Sequence, residues 1–106
     1  MLVQATEKGE YPRAAILADV HLERQLQDEK WGEATNRGLP LTVWAVVLGE
    51  EVGEVNQAIL KHQRHGLRKE LTQVAAVAVA MLEALDGWDR SGEAEPRWGV
   101  NESDAG

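Results

Sequence analysis

Two pairs of side chains in this sequence have the type and spacing to hold a metal ion: Glu51 with Glu54, and Glu70 with Gln73. Each pair is i, i+3, which on a helix sets both heads on one face, one turn apart. Two such helices packed side by side would direct up to four oxygen donors into a shared cleft. Hard cations take oxygen ligands, and Mg²⁺ in particular is held by a few carboxylates while keeping several waters. The expected chemistry is therefore that of Mg²⁺, with Mn²⁺ as a possible substitute.

The same residues admit a plainer account. Glu50, Glu51 and Glu54 crowd three acids into five positions, and most charge runs on helices are solvated faces. Helical phase weighs against that account for Glu51. At 100° per residue it falls in line with Trp44, Leu48 and Val55, and Glu54 lies beside it. A carboxylate turned toward apolar surface needs a compensating charge. Either a metal ion or a salt bridge from Lys61, Arg68 or Lys69 could supply it, and phase alone does not choose. Gln73 is likewise open: its amide can lend a carbonyl oxygen to a cation or serve as a hydrogen-bonding residue.

Three helices would carry these groups. Pro12 suits a first turn, and apolar residues from Ala15 to Leu26 recur at helical spacing, which predicts a helix over 12–30 capped by Gly32. Asn36, Gly38 and Pro40 then break the chain. A second helix is expected from Leu41 or Thr42 to about His62, with apolar residues at 44, 47, 48, 52, 55 and 59. Gly49 and Gly53 inside it cost about 1 kcal/mol each against alanine, to be explained by close approach of another helix or by a crowded site. The segment 62–66 reads as a short turn, so the third helix, about 67–85, should run antiparallel to the second. Its centre, Val74 to Ala80, is apolar on every side and should be widely buried. Residues 1–11 read as a leader, 12–88 as one helical domain and 89–106 as a mobile acidic tail.

Composition narrows the class. With 106 residues, 43% of them apolar and no phenylalanine, the chain is a single small domain rich in valine, leucine and alanine. Small helical chains often complete their core by oligomerising, so a homodimer or homotetramer is expected. There is no cysteine, which excludes disulfides and thiolate metal sites. A net charge of −7 argues against a nucleic-acid polymer as partner, although a bound cation could still attract phosphates. Neither a membrane span nor a signal peptide is readable, so a soluble cytoplasmic protein is expected and no membrane partner.

The run Leu48-Gly49-Glu50-Glu51-Val52-Gly53-Glu54, followed after fifteen residues by Glu70-Leu71-Thr72-Gln73, resembles the MazG-like all-α nucleoside triphosphate pyrophosphohydrolases. That family carries Glu-x-x-Glu on one helix and Glu-x-x-Asp on the next. The likeness covers about residues 20–86, and the segment Gln25 to Gly32 is similar to small phage- and integron-type members. The resemblance implies an enzyme that uses Mg²⁺ to cleave the α–β phosphate bond of an NTP or dNTP, giving a nucleoside monophosphate and pyrophosphate. It implies Glu51, Glu54 and Glu70 as metal ligands, with Gln73 where the family has aspartate. Glu50 would help position the attacking water or support the ligands from outside. The expected fold is all-α with three main helices, the second and third forming an antiparallel hairpin that pairs with a second protomer into a four-helix core through the valine and alanine face of the third. The departure at Gln73 keeps a weakly active or purely nucleotide-binding protein in view as the alternative.

Candidate nucleotide contacts lie at the ends of the helices. Trp31 could stack on a base and Lys30 reach a phosphate. Equally, a lysine there complements the helix dipole and a tryptophan covers the core. Trp88 is a weaker stacking candidate. Arg68 and Lys69, beside Glu70, could contact phosphate or pair with an acid. His62 and His65 straddle a turn without a third ligand and make no zinc site.

Overall fold

The structure, a computed structural model, describes residues 11–32 and 38–91, with side chains for 12–32 and 38–87. Within these it is all helical: α1 (Tyr11–Trp31), α2 (Leu41–Leu60) and α3 (Arg64–Ser91). The expected leader (apart from Tyr11), the loop 33–37, the tail from 92 onward and the Trp88 side chain lie outside the described residues.

Helix α1 ends as its sequence dictates. Gly32 takes a positive φ of 85°, and its N–H donates to the Asp28 carbonyl at 2.8 Å. Helix α2 opens behind Pro40, whose extended backbone (φ −69°, ψ 157°) is what a proline favours ahead of a first turn. The Pro40 carbonyl accepts from the N–H of both Val43 and Trp44.

The turn between α2 and α3 is shorter than expected. The N–H of His62 donates to Ile59 O at 3.1 Å and that of Gln63 to Ala58 O at 3.0 Å, the paired bonds of a Schellman ending. His62 occupies the left-handed position with φ 54°, where a side chain is strained and glycine is the usual residue. His62→Gly is therefore expected to stabilise the protein by about 0.5–1 kcal/mol, read by urea unfolding. A loss of stability would show instead that the imidazole itself holds the turn.

Helix α3 overruns the expected 67–85 at both ends. At the start, Leu67 N–H donates to Gln63 O at 2.7 Å. Gly66 falls in the first turn, where no intrahelical donor bond is at stake. At the far end Gly87 does not stop the helix, because one glycine costs only about 1 kcal/mol and no proline intervenes before Pro96. Residues 89–91, expected in the tail, are helical.

Helix α3 lies between the other two. It packs against α2 and against α1, whereas no Cα–Cα approach within 8 Å joins α1 to α2 among the described residues. A groove floored by α3 therefore separates α1 from α2. Trp44, Val77 and Ala80 form the core, with Leu39, Leu41, Val47, Leu48 and Met81 packed around them. Ala76, Ala80 and Ala84 are all buried, and such small side chains permit close helix packing. The centre of α3 is not buried on every side, as its composition suggested: Ala78 and Val79 are exposed, as are Leu71 and Leu82. Gly49 and Gly53 likewise face open space, a Cβ at either meeting nothing within 4 Å. Within one chain neither reason expected for these glycines applies.

Arg24 locks α1 onto α3. It is only 7% exposed, and it donates to Asp28 at 2.6 Å and to Glu83 at 2.7 Å. A guanidinium so enclosed is tolerable only when carboxylates meet its donors.

Candidate metal centre

Helices α2 and α3 bring Glu51, Glu54 and Glu70 together. One carboxylate oxygen from each lies within 4.8 Å of the others. Glu51 and Glu70 are half-buried and Glu54 is exposed at the rim. Among the described residues, the ion pairs are Arg24 with Asp28 and Glu83, and Arg68 with Asp19. Among the described residues no lysine or arginine forms an ion pair with the three converging acids, Lys69 acting on Glu70 only through its charge. The salt-bridge account of their placement therefore finds no partner.

The electrostatics match an uncompensated cluster. Burial raises the Glu51 carboxyl above its ordinary value, with the negative charges of Glu54, Glu50 and Glu23 adding to the effect. Glu70 is raised first by a hydrogen bond with Glu54, then by burial and the charges of Glu54 and Glu51, against an opposing pull from Lys69. Both acids thus hold protons more tightly folded than unfolded. Their contribution to stability is full below about pH 4.5, the ordinary value, and is lost as pH rises through the raised values. The melting temperature of metal-free protein is expected to fall over that window, and the fall should shrink in Glu51→Gln. Mg²⁺ should restore stability increasingly at higher pH, because it requires the deprotonated acids. Thermal melts in EDTA and in Mg²⁺ across the acid-to-neutral range check both signs.

Gln73 completes the ring. Its amide is satisfied when the nitrogen faces inward, where it donates to Glu70 Oε2 at 2.9 Å and to Glu51 Oε2 at 3.3 Å. Of the two roles open to Gln73, this arrangement uses the donor role. Presenting its oxygen to a cation requires the amide to turn over. Glu50 is exposed and outside the cluster, acting on it through its charge at Glu51.

The donor set suits a hard cation: three carboxylates from two helices, near one another, two of them half-buried, and without an ion-pair partner among the described residues. Glu51, Glu54 and Glu70 would hold it, with Gln73 able to contribute an oxygen.

Next to the acids, an open cleft of about 330 Å³ occupies the groove between α1 and α2, lined by Gln27, Trp31, Leu39, Val43, Trp44, Val47, Glu51 and Val77. Glu51 belongs to both the cleft and the acid cluster. Lys30 lies over the Trp31 ring, 4.9 Å from its centroid, so these two candidates sit together at the cleft side. Arg68 and Lys69 do not join them. They line a separate depression between α1 and α3 with Asp19, Glu23, His65 and Thr72, and Arg68 is bonded to Asp19 at 2.8 Å.

Sequence reasoning missed Glu23 and Gln27, and saw Trp44 only as part of the buried stripe. The signal for the first two was present, since Glu23, Gln27 and Trp31 are i, i+4, i+8 on one face of α1. No family model, curated protein or solved structure matches the chain.

Proposed function

We propose that this protein is a Mg²⁺-dependent nucleotide pyrophosphohydrolase, cleaving the α–β phosphate bond of an NTP or dNTP to give NMP and pyrophosphate. The observation that carries the reading is the convergence of Glu51, Glu54 and Glu70 with no ion-pair partner among the described residues. In the reaction water adds to the α-phosphorus, the bond to the bridging oxygen breaks, and pyrophosphate departs. Mg²⁺ bound at the acids would supply neutralisation of the phosphate oxygens and acidify an attacking water. The chain's own part is positional. The three acids fix the charged end of the substrate at the junction of α2 and α3, the proton water loses passes to solvent, and Glu50, exposed beside Glu51, supports the ligands through its charge from outside the cluster. No side-chain nucleophile is needed, in keeping with a sequence lacking cysteine.

No described helix is long and apolar enough to cross a membrane, and we place the activity on free nucleotides of the cytoplasm. The exposed row Leu71, Val79 and Leu82 on α3 supports self-association into a homodimer or homotetramer with a four-helix core, to be read by light scattering. The test of function is a screen of all common NTPs and dNTPs with Mg²⁺ or Mn²⁺, detecting pyrophosphate. Release that stops with chelator is expected, and silence across the whole panel would overturn the reading.

One observation favours a second reading. With its nitrogen turned toward the acids, the Gln73 amide partners Glu70 and Glu51, as it would in a protein that binds nucleotides without turning them over. That protein would show nucleotide-dependent melting shifts and no pyrophosphate.

A further inference from the structure

We propose that Arg24 is a positioning residue for the nucleotide: by fixing how α1 seats on α3, it sets the place of Gln27 and Trp31 on the wall of the cleft. The inference rests on the nucleotide reading above and gives a role to a residue that belongs neither to the acids nor to the cleft.

Helix α1 stands apart from the helix that carries Glu51 and Glu54. Among the described residues it approaches α3 and not α2, so its position over the cleft is decided where it meets α3. Apolar packing there is thin. Val20 is the only buried apolar side chain of α1 among the described residues, whereas Ile16, Leu17, Leu22 and Leu26 are exposed. The buried side chains of α3 are mostly alanine, at 76, 80 and 84. Side chains this short form shallow ridges, which key a neighbouring helix poorly.

Two polar contacts between α1 and α3 remain. Arg68 reaches Asp19 at 2.8 Å, but both side chains are about half exposed, and such pairs hold little in water. Arg24 is different. It is 7% exposed, and its guanidinium donates to Glu83 at 2.7 Å through Nε and to Asp28 at 2.6 Å through Nη1. A planar fork held by two carboxylates is directional, so it fixes both the rotation of α1 and its slide along α3. Apolar contact, being non-directional, fixes neither.

The cleft residues lie on the same face of α1. Val20, Arg24, Gln27 and Trp31 follow at steps of four, three and four, the spacing of one helix face. Arg24 is tied to α3, and the last two line the cleft with Glu51 and Val77. Turning α1 by one residue, about 100°, would carry Trp31 off that wall.

The test pairs Arg24→Met with Glu83→Gln, which removes the directional bonds without stranding a carboxylate on α3. Exchange of an enclosed ion pair for uncharged side chains is often neutral for stability, so the double variant should unfold in urea close to wild type. Groove width is read first. The chain has no cysteine, so Glu29→Cys and Val46→Cys, at exposed positions of α1 and α2, carry the only spin labels. One narrow distance is expected with Arg24 in place and a broadened one in the double variant. Calorimetry of α,β-imido dUTP and α,β-imido dATP in Mg²⁺ should show binding weakened about tenfold. Arg24→Lys, which keeps the charge without the fork, should lose only about threefold. The Mg²⁺-induced melting shift should not move, since Glu51, Glu54 and Glu70 belong to α2 and α3. In turnover the loss should fall on KM, with kcat within about twofold of wild type.

A distance that stays narrow, or one that broadens while analogue affinity holds, would overturn the role. Stability, Mg²⁺ response and affinity falling together would also overturn it, leaving Arg24 a residue of the fold alone. A broadened distance in a protein that binds neither analogue would uphold Arg24 as the anchor of α1 and overturn the nucleotide reading instead. Binding that weakens as expected without any pyrophosphate would uphold the role and overturn the hydrolase.

Discussion

Replacing Glu54 by glutamine is expected to lower pyrophosphate release at least about 10²-fold and, in the same protein, to raise the melting temperature measured in EDTA. The two effects have one cause. Glu54 stands at the exposed rim of the cluster, where its charge and hydrogen bond raise Glu70 and its charge also raises Glu51. Glutamine has nearly the same shape but no charge, so the metal-free protein loses a repulsive partner. The cation loses one of three anionic ligands. Steady-state release of pyrophosphate against Mg²⁺ concentration, alongside melts with and without metal, reads both. A variant with full turnover would remove Glu54 from the metal centre. A variant whose activity and metal-free stability fell together would make Glu54 a structural residue.

Much of this site is legible in the sequence because it depends on local geometry. The i, i+3 spacing fixes which heads share a face of α2 or α3, and the short 61–63 connection folds those faces together. Gly32 marks the end of α1 for an equally local reason. What sequence could not supply is the pairing of α1 with α3. Arg24 and Glu83, 59 positions apart, meet only after that packing is set, and Glu23 and Gln27 join the site by the same step. The ends of α3 run past the expected 67–85 because the polar stretch 62–66 reads as a turn and the acidic stretch beyond 85 as a tail, whereas a glycine at 66 or 87 costs less than a continuing helix gains. The indole N–H of Trp44, buried without a hydrogen-bond partner among the described residues, is beyond any pattern in the sequence, since it depends on every neighbour that fails to accept from it.

Gln73→Asp should separate the metal-free protein from the metal-bound one more sharply than any other substitution. With its nitrogen turned toward the acids, as suits the metal-free cluster, the Gln73 amide donates to Glu70 and Glu51 at 2.9 and 3.3 Å, giving two raised acids their only described side-chain donor besides the Glu54–Glu70 bond. Aspartate removes those donors and adds a fourth negative charge at close range. Metal-free protein should consequently melt lower, and its loss of stability with rising pH should steepen, because each acid is pushed further above its unfolded value. Mg²⁺ reverses the balance. A fourth carboxylate strengthens the oxygen donor set, and no amide has to turn over before an oxygen faces the ion. Mg²⁺ affinity, read from the metal-induced melting shift, and pyrophosphate release should each rise by about tenfold or more. If aspartate lowers metal-free stability yet leaves the Mg²⁺ response unchanged, residue 73 serves the acids alone and no cation binds within its reach. If the metal response grows while pyrophosphate stays absent, the acids bind an ion without performing hydrolysis, and the nucleotide-binding reading takes the place of the enzyme.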